Sequence, residues 1–204
     1  MNAGRRLRRK KPTTVHAGPP GSAVFLVGFM GAGKSSVGRA LGRQLNWIFE
    51  DLDDRIAARE GRSVAEIFRD SGESEFRRAE HAALQLVLEE LRGGGARIVA
   101  LGGGTFAQER NHKAIQASGI PTVFLDAPLP ELWQRCAQQS DAKRPLMTSQ
   151  TKFRETHQAR LPYYRKASRQ IDTMGKQVDA IANEIAEALK LKKIALRTEQ
   201  GEAE

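Results

Sequence analysis

The sequence predicts an open α/β fold, a parallel sheet covered by helices on both faces, and three observations point there. Four short apolar runs, at residues 23–27, 47–53, 97–101 and 122–126, and a briefer fifth at 169–172, are separated by stretches of helical spacing. That order generates strand–helix–strand crossovers. The runs "AVFLV", "RIVAL" and "TVFLD" are almost continuously apolar instead of alternating, as strands covered on both faces require. A glycine-rich loop, "GFMGAGKSS" at residues 28–36, joins the first run to the first helical stretch.

Taken in order, "AVFLV" reads as the first strand, and "KSSVGRALGRQL" as a helix with Val37, Leu41 and Leu45 on one face. "WIFEDLD" reads as a second strand ending in carboxylates, followed by short helical segments up to a turn at Ser71 and Gly72. From Glu73 to Leu91, the spacing of Phe76, Leu84, Val87 and Leu91 places them near one helical face. Gly93, Gly94 and Gly95 then end that helix before the third strand. "SDAKRPLMTSQ", residues 140–150, interrupts the alternation with charge and proline and reads as an exposed loop. A helix through about Arg160, a short strand at Arg169–Asp172 and a helix bearing Val178, Ile181, Ile185 and Leu189 complete the pattern.

A chain of 204 residues, 40% of them hydrophobic, suits a single α/β domain burying about 70% of its unfolded surface. The net charge of +9 suggests a nucleic-acid partner, but six of those charges, from Arg5 to Lys11, sit in the first 21 residues with no acid among them. Removing them leaves only +3. Residues 1–21 therefore read as a disordered basic leader, residues 22–192 as the folded domain, and 193–204 as a polar tail. No run of about 18 apolar residues predicts a membrane span. The lone Cys136 allows no internal disulfide, in keeping with a cytoplasmic protein. No basic–aromatic platform for nucleic acid is visible.

The chemistry begins at the loop. Gly28, Gly33, Lys34 and Ser35 fit the phosphate-binding pattern G-x-x-x-x-G-K-[ST] in its required strand–loop–helix setting. Backbone amides and the positive helix end make an anion cradle, Lys34 reaches the outer phosphates, and Ser35 can ligate Mg²⁺. A nucleoside triphosphate is implied, but its acceptor is not. In open α/β sheets the acceptor site lies beyond the carboxyl ends of the strands. Asp51 and Asp53, two apart on an extended segment, would point to one side, one toward a metal's water shell and one toward a substrate hydroxyl. An acidic helix N-terminus would show the same pair.

"LGGGT", at residues 101–105, follows the third strand, and its glycines would let a ligand approach bare amides. A plain turn is the alternative explanation. Arg77, Arg78, Arg160 and Arg165 sit on helices where guanidinium forks could grip a small carboxylate or simply be solvated. Arg144, in the exposed loop, could cover the nucleotide and stabilise the transferring phosphoryl group. His16, His81, His112 and His157 show neither metal-ligand spacing nor a catalytic partner, and Trp47 and Trp133 read as packing residues.

Together, "GFMGAGKSS", "EDLDDRI", "GRSVAEIFRDSGESEFRRAE", "LGGGT", "KRPLM" and "RLPYYRKAS", in this order, resemble the shikimate kinase family over about residues 23–190. The loop is widely shared, but the D-x-D, G-E-x-x-F-R-x-x-E, G-G-G and R-P-L blocks in combination are specific. The resemblance implies a P-loop NTPase fold of the nucleoside-monophosphate kinase type, with a five-stranded parallel sheet. It also implies transfer of the γ-phosphoryl group of ATP, the co-substrate, to the 3-hydroxyl of shikimate, on the route to chorismate and the aromatic amino acids.

Carried onto this chain, the resemblance assigns Gly31, Ala32, Gly33, Lys34, Ser35, Ser36 and Arg144 to ATP, with Lys34 and Arg144 also catalytic. Ser35 would bind one Mg²⁺ per subunit directly and Asp51 would do so through water. Asp53 would hold the reacting diol and act as base, Arg77 and Arg160 would grip the carboxylate, and the Gly103 amide would touch the substrate. The resemblance further implies a monomer; with the composition read above, the expectation is a cytoplasmic protein without nucleic-acid or membrane partners. One departure stands out: Lys176 occupies the place where the family often carries an arginine near the adenine.

Two other functions share parts of this pattern. Gluconate and adenylate kinases share the loop but not the paired arginines with R-P-L. A GTP-dependent switch would explain "DTMG" at residues 172–175, but no N-K-x-D guanine motif follows it.

Overall fold

The computed structural model describes residues 22–138 and 149–195. Five parallel strands form one sheet in the order β2-β3-β1-β4-β5: β1 (Ala23–Val27), β2 (Ile48–Asp51), β3 (Arg97–Ala100), β4 (Thr122–Asp126) and β5 (Arg169–Asp172). All four pairings are parallel, with Leu26 opposite Ala100 on one side of β1 and opposite Val123 on the other. Every residue of β1 is buried, which places cover on both faces of the central strand, as its unbroken apolar run predicts.

The helices are α1 (Lys34–Leu45), α2 (Leu52–Glu60), α3 (Val64–Arg92), α4 (Glu109–Ala117), α5 (Leu129–Gln138), α6 (Gln150–Tyr164) and α7 (Val178–Ala188). α1 packs on α7 and on β1, β2 and β3, while α3 packs on α2 and α4, and α5 on α6. Val37, Leu41 and Leu45 of α1 and Ile181 and Ile185 of α7 enter the core, as their spacing predicts. From β1 the chain turns to β2, and from its neighbour β3 it turns the opposite way, to β4. A crevice therefore opens beyond the carboxyl ends of β1 and β3, where such sheets bind ligands.

The turn expected at Ser71 and Gly72 is present inside α3: the helical run from Val64 to Arg92 is broken at Gly72 (φ 80°, ψ 176°), whose positive φ favours glycine. Ser63 and Glu66 cap it reciprocally, Ser63 Oγ accepting from the Glu66 amide at 3.2 Å and Glu66 accepting from the Ser63 amide at 2.7 Å. Beyond the break, Phe76, Leu84, Val87 and Leu91 are buried together. α6 runs past Arg160 to Tyr164. At the other end, the chain after α7 folds back, and the Ile194 amide donates to the Leu45 carbonyl at 2.9 Å. Among the described residues no helix is long and apolar enough to cross a membrane.

Candidate active site

The loop after β1 is shaped by three glycines with positive φ: Gly28 (145°), Gly31 (81°) and Gly33 (85°). Gly31 has a second reason, since a Cβ there would lie 2.6 Å from the Leu132 carbonyl. Lys34 folds over the loop, donating to the carbonyls of Gly28 (2.9 Å) and Phe29 (3.1 Å). The Ala32 amide closes a turn on the Phe29 carbonyl at 3.2 Å. Ser35 and Ser36 occupy the first turn of α1, whose amides open toward the crevice.

Asp51 and Asp53 are brought together by a different geometry from the one expected. Only Asp51 is extended; it ends β2 and caps α2, its Oδ1 accepting from the Asp53 amide at 3.1 Å. Asp53 lies in the first helical turn, so the pair is both an acidic helix N-terminus and a site feature. The other Asp51 oxygen accepts from Ser35 Oγ at 2.6 Å. Asp53 Oδ1 is enclosed and has no hydrogen-bond partner among the described residues. Burial pushes its carboxyl up from 3.8 to about 6, and the neighbouring Asp51 and Glu80 charges push the same way while Lys34 opposes them.

Of the four candidate arginines, the structure turns two inward. The Arg77 side chain is 18% exposed, held by Glu80 (2.9 Å) and Glu73 (3.0 Å), whereas Arg78 is 67% exposed and pairs with Glu75. Arg160 faces the crevice while Arg165 is exposed. Packing explains the aim of α6. Phe29, in the phosphate loop, meets the rings of Phe153 at 4.8 Å and His157 at 5.2 Å, and the Arg160 guanidinium sits 5.9 Å over it. His157 is thereby a packing residue; His112 packs on Phe106, and His81 meets Asn111 Oδ1 at 2.6 Å.

The glycine triplet after β3 has an unexpected logic. None of Gly102, Gly103 and Gly104 has a positive φ, so no tight turn demands them. What they lack is room. A Cβ on Gly102 would lie 2.7 Å from Asp53 Oδ1, one on Gly103 would lie 3.3 Å from Arg160 Nη1, and one on Gly104 would lie 2.6 Å from Arg77 Nη1. Each glycine accommodates one of the three candidate substrate-binding side chains.

These groups share one cavity of about 540 Å³, lined by Lys34, Ser35, Asp51, Asp53, Arg77 and Arg160 among others. Two further residues, to which the sequence assigns no role, line cavities beside the loop: Glu80 lines this one and Arg135 a neighbouring one. Glu80 is fully buried and accepts from Arg77, from Thr105 Oγ1 at 2.6 Å and from Gln108; its place at i+3 from Arg77 was the available signal. Arg135 lines a second cavity of about 280 Å³ on the other side of the loop, with Ser36, Lys176 and Val178. Nothing in its spacing distinguished it from a solvated helix arginine. Arg144 and its loop, the basic leader and His16 lie outside the described residues.

Mg²⁺ fits the residues present. Ser35 and Asp51 offer hard oxygen donors already in contact, and Mg²⁺ is held by one or two such groups together with phosphates and water. Among the described residues no cluster of three or more His, Cys, Asp or Glu could cage an ion alone.

The shikimate kinase family model matches residues 30–190. The chain is 40% identical over 173 residues to a shikimate kinase of Thermus thermophilus, covering 83% of this chain and 91% of that one. It is 37% identical over 163 residues to that of Persephonella marina, covering 79% and 95%. Among solved structures, shikimate kinase from Acinetobacter baumannii in complex with shikimate superposes with a TM-score of 0.73 at 32% identity, covering 83% of this chain and 93% of that one.

Proposed function

The chain belongs to the shikimate kinase family and catalyses the ATP-dependent phosphorylation of shikimate; on that premise we propose the following division of labour among its residues. Arg77 and Arg160 grip the carboxylate, which orients the ring so that its 3-hydroxyl faces Asp53. Gly103 lets the substrate lie against its amide. The Asp53 carboxylate receives the hydroxyl proton as the new oxygen–phosphorus bond forms and the bond to the ADP oxygen breaks. Lys34 and the loop residues Gly31, Ala32, Gly33, Ser35 and Ser36 hold the phosphates. Ser35 directly, and Asp51 through water, would hold one Mg²⁺. The ion supplies charge neutralisation on the phosphate oxygens.

The observation that carries this reading is the single cavity shared by Lys34, Asp53, Arg77 and Arg160. Phosphoryl transfer asks mainly for positioning and charge neutralisation in a closed site, and these four side chains supply both. Arg135 and Lys176 flank the loop on its other side and would form the wall of the adenine site. Arg144 would close over the nucleotide with its loop, so Arg144→Ala should lower turnover while leaving shikimate affinity near that of the wild type. An equal loss of affinity with unchanged turnover would contradict that role. The enzyme would act as a cytoplasmic monomer on ATP and shikimate alone, and sedimentation at micromolar concentration tests the oligomeric part.

The decisive assay is ADP release with shikimate, gluconate or AMP as acceptor, with Mg²⁺ and with EDTA. Shikimate should be strongly preferred, and EDTA should abolish turnover. A preference for gluconate or AMP would overturn the substrate assignment, and undiminished turnover in EDTA would overturn the metal assignment.

A further inference from the structure

Tyr164 ends α6, four residues after Arg160, and is completely buried. Its ring stacks on Phe124 of β4, with centroids 5.3 Å apart and planes 29° from parallel. A phenol at such depth needs a partner for its hydroxyl. It donates to the carbonyl of Gly103, in the glycine triplet after β3. A hydroxyl has one proton to give, so its lone pairs are left for a donor. The positive charge of the Arg160 guanidinium lies near enough to that hydroxyl to oppose the effect of burial on it. A Cβ built on Gly103 would lie 3.3 Å from Arg160 Nη1 and 3.8 Å from the Tyr164 hydroxyl, so both side chains border the same side of Gly103.

We propose that Tyr164 is a positioning residue for substrate: its buried hydroxyl locks the Arg160 guanidinium on α6 to the Gly103 peptide beyond β3. The role rests on the carboxylate-gripping function given above to Arg160. The physical need is plain. Arg160 comes from a helix and Gly103 from a loop after a strand, and packing alone would fix their separation only to the tolerance of a long, flexible side chain. A guanidinium grips a carboxylate well only when its planar fork is presented at the correct angle. A hydroxyl that donates to the loop and faces the guanidinium sets that angle before substrate arrives, and so reduces the ordering cost of binding. Burial pushes the Tyr164 hydroxyl up to about 12, with the Arg160 charge opposing, so it keeps its proton, and its donor role, across the working pH range.

The test is Tyr164→Phe, which keeps the ring against Phe124 and removes the hydroxyl. A hydrogen bond to a charged group is worth enough that the shikimate KM should rise about tenfold, with the ATP KM within about twofold of wild type. In an Arg160→Lys background, where no planar fork remains to be aimed, the same substitution should change the shikimate KM by less than about threefold. A shikimate KM unchanged by Tyr164→Phe, a parallel rise in both KM values, or the full tenfold effect in the Arg160→Lys background would each overturn the proposal.

Should Tyr164→Phe fold poorly, the wild-type protein provides a second test, because the chain has only two tyrosines. With both labelled by ¹³C at Cζ, and Tyr163→Phe used for assignment, the Tyr164 resonance should move when shikimate is added; an unmoved resonance also overturns the proposal. Failure of the wild type to use shikimate would instead remove the substrate assignment itself.

Discussion

The Arg77 guanidinium occupies the space that a Cβ on Gly104 would need, its Nη1 lying 2.6 Å from that position. The obstruction is the far end of a long side chain, so an added methyl would displace Arg77 before it displaced any backbone. Gly104→Ala should therefore fold with stability within about 1 kcal/mol of wild type, yet raise the shikimate KM at least about tenfold by moving one carboxylate contact. The ATP KM should be unaffected. Steady-state kinetics with each substrate varied, together with a thermal melt, check this; an unchanged shikimate KM would show that Arg77 does not bind substrate in this pose.

Asp53 bears a different signature, because its carboxyl titrates at about 6 in the free enzyme. As a base it works only when ionised, and kcat/KM reports groups in the free enzyme. The kcat/KM for shikimate should be flat above pH 7 and fall on the acid side with a midpoint near 6. The decline should approach tenfold per pH unit below about 5. A profile that stays flat to pH 5 would mean that Asp53 is ionised by contacts absent from this arrangement, or that it only orients the hydroxyl.

The same raised pKa makes Asp53 a stability liability. The folded value, about 6, exceeds the ordinary aspartate value of 3.8, so the folded state prefers the protonated form. The favourable contribution is complete below pH 3.8 and is lost as pH rises through 6. At pH 8 the wild type therefore holds an ionised carboxylate at a cost of up to about 3 kcal/mol, which a neutral amide avoids. Asp53→Asn should raise the melting temperature at pH 8 by a few degrees, and by progressively less toward pH 4, while lowering turnover at least about a hundredfold. A melting temperature at pH 8 equal to or below that of wild type would refute the buried-charge account.

How far the sequence discloses this site depends on the type of interaction. The β1–loop–α1 unit was legible because apolar spacing and a phosphate loop are local signals, and Phe76, Leu84, Val87 and Leu91 fell on the core face for the same reason. The Asp51–Asp53 pair was found, but with the wrong local geometry. Where a strand hands over to a helix cannot be read from side-chain spacing when the first helical residue, Leu52, is as apolar as a strand residue. The glycine triplet was noted for the approach of a ligand, whereas its closest neighbours are Asp53, Arg160 and Arg77, contacts made only by the tertiary fold. Spacing alone does not separate Arg77 from Arg78; the resemblance does, and the structure turns Arg77 inward against the buried Glu80. Glu80 and Tyr164 stood inside quoted motifs without a role, because a buried carboxylate or phenol acquires its function from partners remote in sequence.

The end of the folded domain lends itself to a sharp test. An expectation drawn from polarity alone ends the domain at residue 192, yet Ile194 still packs against the core and its amide donates to the Leu45 carbonyl at 2.9 Å. Its carbonyl accepts from Asn46 Nδ2 at 2.7 Å, and the Lys192 carbonyl accepts from Trp47 Nε1 at 3.1 Å. Asn46 needs such help, since it stands in the left-handed region (φ 57°) where α1 gives way to β2. These residues strap the α1–β2 turn, and β2 in turn carries Asp51. Truncation after Lys190 should remove four hydrogen bonds, the fourth from the Leu191 amide to the Ala186 carbonyl, and two apolar side chains, Leu191 and Ile194, and cost about 2–4 kcal/mol. Truncation after Ala195 leaves all of these contacts in place and serves as the reference. Chemical denaturation of the two shortened chains decides between the boundaries, because equal stability would mean that the strap contributes nothing and that polarity had marked the edge of the domain correctly.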